Sequence, residues 1–78
     1  MTWRLYEITD KGERKVSGWG DHSSLTSARS TIERWGRITA WNVDKKHDSV
    51  DVMIMPHGRP YIAHIVVEPV VGDIWPQC

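Results

Sequence analysis

The sequence predicts an α+β domain: a small antiparallel sheet, in the order β-β-α-β-β-β, with one amphipathic helix packed on one face. Three observations carry this expectation. Short runs rich in aromatic and β-branched residues recur along the chain, with turn residues between them. One stretch, from about Ser24 to Trp35, changes to helical periodicity. The connections are short, which suits strands that pair with their sequence neighbours.

The first run, Trp3 to Thr9, ends at Asp10-Lys11-Gly12, where glycine offers a positive φ for a hairpin turn. Glu13 to Trp19 pairs back and is polar enough for a sheet edge. Gly18, Gly20 and Asp21 are expected to end it. Ser23 or Ser24 then supplies a helix N-cap. Leu25, Ala28, Ile32 and Trp35 fall on one stripe of the helix, with Ser27, Ser30, Glu33 and Arg34 on the other side. Gly36 reads as the C′ residue, Arg34 and Arg37 suit the negative end of the helix dipole, and Glu33 and Arg37 are spaced for an i,i+4 ion pair.

Three further strands are expected: Arg37 to Val43, the alternating run Val50 to Met55, and the most apolar run, Tyr61 to Glu68. Asp44 to Asp48 is a polar connection, and Pro56-His57-Gly58-Arg59-Pro60 is a strong turn. Pro69 ends the last strand. Residues 1–78 form one domain, with 70–78 as a C-terminal tail carrying Ile74 and Trp75.

The composition narrows the function classes. Lys plus Arg is 10 and Asp plus Glu is 10, so the formal charge is zero, which argues against a basic nucleic-acid module and against a polyanionic mimic. A chain of 78 residues buries only about 60% of its unfolded surface, so packing or self-association must supply stability. Cys78 is the single cysteine, which excludes an intrachain disulfide. The N-terminal segment has no apolar h-region and no run reaches membrane-spanning length, so a cytoplasmic protein without membrane contact is expected.

No catalytic motif stands above background. Asp21-His22 and His47-Asp48 are acid–imidazole neighbours, and His57 and His64 flank the last hairpin. Adjacent side chains diverge, so these pairs do not converge on a metal, and neither a metal nor another cofactor is expected. A metal-dependent protein using the histidines is the last of the alternatives. Ser23 and Ser24 are better explained as caps than as nucleophiles, and Cys78 sits at a terminus. Gly18 to Ser24 joins a strand to a helix but lacks the lysine of a phosphate loop.

The informative feature is the second face of the sheet. If Ile38, Ala40, Val50, Val52 and Ile54 face the helix, then Trp41, Val43, Met53 and Met55 face away and form an apolar patch. Either the tail covers it, through Ile74 and Trp75, or a protein partner or second copy does. The expected function is therefore a non-enzymatic protein-interaction module, self-associating or binding another protein, with Trp41, Met53 and Met55 as contacts and His57 and Arg59 at the rim. The alternative is a single-stranded nucleic-acid binder using Arg14, Lys15, Trp19, Arg34 and Arg37, where arginines next to an aromatic could stack unpaired bases.

Overall fold

A computed structural model describes residues 2–70. The elements are β1 (Trp3–Ile8), β2 (Arg14–His22), α1 (Leu25–Trp35), β3 (Gly36–Asp44), β4 (Ser49–Pro56) and β5 (Ala63–Pro69). All strand pairs are antiparallel, and the five strands lie in the order β2-β1-β5-β4-β3. This is the expected α+β architecture with one helix against one face. The tail segment with Ile74 and Trp75, and Cys78, lie outside the described residues.

Local chemistry sets the element ends. In the β1–β2 hairpin, Thr9 N–H donates to Glu13 O at 2.9 Å and Gly12 N–H to Thr9 O at 2.8 Å. Gly12 has φ +81°, which a residue with a Cβ rarely adopts. Helix α1 starts at Ser24, whose hydroxyl accepts from Ser27 N–H at 3.1 Å. Its stripe points inward as predicted, with Ala28 and Ile32 fully buried. Strand β5 lies at the centre of the sheet, and its Ile65, Val66 and Val67 are all buried. A strand flanked by neighbours on both edges, with Ile65 and Val67 packed in the core, suits the most apolar run in the sequence.

Cross-strand pairing groups the core into layers. Leu5, Val67 and Val50 align in one row, Ile65, Val52 and Trp41 in the next, and Ala63, Ile54 and Ile38 in a third. Leu5, Val50, Val52, Ile54, Ile65 and Val67 are at most 1% exposed and pack with Ala28 and Ile32 of the helix. Because β2 and β3 are the two edges of the sheet, the helix that joins them crosses it on a diagonal. Two opposite corners of the helix-side face are therefore left without helix above them.

Four expectations are corrected. Trp41 and Val43 face the helix side, not away from it, and Ala40 faces away. The cause is a β-bulge: Ile38 pairs with Ile54 but Ala40 pairs with Met53, so Thr39 is the extra residue and the alternation changes phase. The Thr39 hydroxyl donates to Met53 O at 3.1 Å and fixes this irregularity. Gly36 is extended (φ −168°, ψ 176°), so it is not a left-handed C′ residue. It is glycine because a Cβ would lie 2.6 Å from Met55 O and 2.7 Å from Pro56 Cα. Strand β2 does not stop at its glycines; it runs to His22, with Gly20 at φ +75° absorbing an irregular register opposite Leu5. Finally, Arg37 lies on β3, beyond the helix, and the i,i+4 pair on α1 is Arg29–Glu33 at 3.5 Å.

Candidate functional site: the second sheet face

Strand alternation and register build the face opposite the helix. One row across all five strands reads Arg14, Ile8, His64, Met53 and Ala40; the next reads Val16, Tyr6, Val66, Asp51 and Asn42. Arg4 pairs with Asp21 and Glu68 beyond these rows, and Met55 pairs with Arg37 at the other end. Tyr6, Ile8, Val66 and Met53 are thus the apolar side chains of the three middle strands, with His64 between Ile8 and Met53 and Asp51 beside Val66. Val66 is 8% exposed, while Val16 and Met55 at the margins of the face are 55% and 45% exposed.

Polar groups border these residues and cross between them, and Arg4–Asp21 and Arg14–Glu68 are ion pairs within the chain. The Arg4 guanidinium makes a two-pronged contact with Asp21, at 2.8 and 2.9 Å. Asp21 holds the Arg4 guanidinium protonated even more firmly than usual, and Arg4 lowers the Asp21 carboxyl below its ordinary range, in both cases mainly through the side-chain hydrogen bond. Arg14 pairs with Glu68, and its guanidinium lies over the Tyr6 ring, 4.7 Å from the centroid. The hydrogen bond to Glu68 raises the Arg14 pKa. His64 meets Asp51 at 3.2 Å. Such contacts are half-exposed and each contributes little stability, but they fix the orientation of long side chains around an apolar surface.

Of the residues expected to bind a partner, Met53 and Met55 lie on this face. Trp41 lies on the other side, beneath Arg29 at 4.7 Å from its ring centroid, and packs against the core. His57 and Arg59 are exposed in the turn that follows β4, next in sequence to Met55 and Pro56. His57 N–H closes that turn onto Trp35 O at 3.1 Å, and Arg59 N–H bonds Pro56 O at 3.1 Å. Tyr6, Ile8, Val16 and Val66 complete the face and were not singled out from the sequence. Their alternation with Leu5, Ile65 and Val67 is visible there, but joining them into one surface requires the β1–β5 pairing.

The residues of the nucleic-acid alternative do not converge. Trp19 and Arg34 line a shallow groove of about 340 Å³ with Thr31 and Trp35, where the two indoles meet edge to face at 4.4 Å. Lys15 lines a second open groove of about 720 Å³ at one uncovered corner, with Glu7, Asp10, Trp35, Tyr61 and Ile62. Arg14 is on the opposite face, committed to Glu68, and Arg37 is on the far edge strand.

Three histidines have side-chain hydrogen-bond partners, His64 on this face and His22 and His47 away from it. His22 Nε2 shares a 2.9 Å hydrogen bond with Thr31 Oγ1, and its buried Nδ1 has no partner among the described residues. His47 Nδ1 is 2.8 Å from Asp44. That hydrogen bond raises the His47 pKa and lowers that of Asp44. His64 contacts Asp51 as above. Among the described residues, no three His, Cys, Asp or Glu side chains are grouped to hold a metal ion. No helix there is long and apolar enough to cross a membrane. In comparisons with known proteins, no family model, curated protein or solved structure matches this chain.

Proposed function

We propose that the chain is a non-enzymatic protein-interaction module that binds a partner protein through the second face of its sheet. The observation that carries this reading is the makeup of that face: apolar Tyr6, Ile8, Met53 and Val66, bordered by the Arg4–Asp21 and Arg14–Glu68 pairs and crossed by His64, between Ile8 and Met53, and by Asp51, beside Val66. A patch of apolar side chains mixed with polar ones is ordinary for a protein–protein contact. Arg4, Arg14, Asp21 and Glu68 are already paired with one another within the chain, which favours an uncharged protein surface as partner over a strongly charged polymer. Met53 and Met55 add side chains that adapt to an irregular partner.

A photoreactive residue placed at Met55 tests this, with Ser30 on the outer side of the helix as the control position. The expected result is a specific protein crosslinked from Met55 and not from Ser30, whose affinity falls about tenfold, or about 1.4 kcal/mol, with Val16→Glu or Met55→Glu. Crosslinking of one partner from Ser30 alone, or indifference of the bound partner to both substitutions, overturns the reading.

A further inference from the structure

We propose that two copies of the chain form a symmetric dimer by antiparallel pairing of their β3 edges about a two-fold axis at Asn42. The inference concerns the sheet edge and stands independently of partner binding on the second face.

The two edges of the sheet differ. Strand β2 is blunted: between Arg4 and Tyr6 its register jumps from Asp21 to Val16, Gly20 is at φ +75°, and Arg14 and Lys15 project from its start. These are devices by which edge strands avoid pairing. Strand β3 has one bulge, at Thr39, and then five consecutive regular positions, Ala40 to Asp44, paired one for one with Met53 to Ser49. Among the described residues, no strand pairs with its outer side. An edge of this kind presents a row of backbone donors and acceptors that another strand can satisfy.

The second observation is apolar exposure at the same place. The diagonal helix leaves the far end of β3 uncovered on the helix side, and Val43 is 55% exposed there although its cross-strand neighbour Val50 is 1% exposed. Trp41 lies two residues away on that side.

The third observation selects a second copy as the occupant, because the regular segment is self-complementary. An axis at Asn42 is the one placement that uses all five regular positions without crossing the bulge or leaving the strand. It sets Trp41 of each copy against Val43 of the other on the helix side, and Ala40 against Asp44 on the second face. Aromatic against β-branched is a favourable cross-strand pair, here made twice, and no like charges meet. The Asp44 carboxylate is already held by His47 and by Lys46 N–H at 3.0 Å. A contact of five residues per chain lies at the small end of interface sizes, so the dimer is weak and concentration-dependent.

Light scattering on the full chain, from about 10 µM to about 1 mM, reads this equilibrium in the range set by a small interface. The mass is expected to rise toward twice the 9.0 kDa of one chain. Val43→Lys replaces an exposed residue and should weaken the dimer about tenfold, whereas Met55→Glu on the second face should leave it unchanged. Directly opposed residues have Cα atoms roughly 4.5–5.5 Å apart, within disulfide range, so Asn42→Cys in a Cys78→Ser background should crosslink across the axis. A monomer throughout overturns the inference and leaves partner binding on the second face untouched. Loss of the dimer with Met55→Glu but not Val43→Lys also overturns it, and makes a second copy the occupant of that face. A dimer that Asn42→Cys fails to crosslink contradicts the proposed axis.

Discussion

At the scale of single residues, position on one or the other face decides what each side chain does. Trp41 shows this most plainly. Its composition and neighbours in sequence mark it as a contact residue, but the bulge at Thr39 turns it toward the helix, where it packs beside Ile38 and under Arg29. Truncating it therefore costs folding stability before it costs association. Trp41→Ala should lower the unfolding free energy by about 1.5–3 kcal/mol, the scale of burying one large apolar side chain, and denaturant melts measure it. Full retention of stability would place the indole outside the core. Gly36 makes a different kind of prediction. Gly36→Ala drives a methyl into the backbone of Met55 and Pro56 at 2.6–2.7 Å, and should destabilise by about 1–3 kcal/mol although alanine is the better helix and strand former.

The Asp44–His47 contact gives a pH signature at the same scale. The imidazole's pKa is raised, so its contribution is complete below the ordinary histidine range and disappears as pH rises through the raised value. The carboxyl's pKa is lowered, so its contribution is present above the ordinary carboxylate range and disappears as pH falls through the lowered value. The contact is strongest between those two titrations. In a proton NMR titration, His47 should titrate above its usual value, and Asp44→Asn should bring it back. An unchanged His47 titration in that variant would remove the contact from the account.

At the scale of elements, the sequence shows the kind and order of structure and misses the phase. The helix from Leu25 to Trp35 is legible because its cap and stripe are local: Ser24 bonds Ser27, and Ala28 and Ile32 are four apart. Ser24→Ala should cost about 1 kcal/mol through loss of that cap, and Ile32→Ala about 2–5 kcal/mol through a cavity in a core at most 1% exposed. Strand β5 is legible because an apolar run interrupted only by His64 signals a central strand. The bulge at Thr39 is not legible, because it arises from the pairing of β3 with β4 and leaves no mark on β3's own alternation. The continuation of β2 through Gly18 and Gly20 is hidden for the same reason: glycine ends strands in isolation, but here it absorbs an irregular pairing with β1. The candidate site follows this division. Alternation within one strand is enough to place Met53 and Met55 on their face, while Tyr6, Ile8 and Val66 join them only through the central position of β5.

At the scale of the whole molecule, one helix and one five-stranded sheet leave three surfaces unoccupied by the helix: the second face, and two corners cut off by the diagonal crossing. Among the described residues no second layer covers them. The second face combines apolar side chains with paired charges, one corner is an open groove between Trp35 and Tyr61, and the other borders the β3 edge with Val43. The proposed interaction with another chain rests on the second face, and the central claim is that this face is open to a partner in the isolated protein. Methyl-resolved NMR of dilute protein, with a soluble paramagnetic agent added, tests it most directly. The account predicts strong relaxation enhancement at the Met55 methyl, intermediate enhancement at Met53, and almost none at the Ile32 and Val52 methyls. Protection of Met53 and Met55 to the level of Ile32 would show that the chain covers this face itself, and would contradict its role as the binding surface.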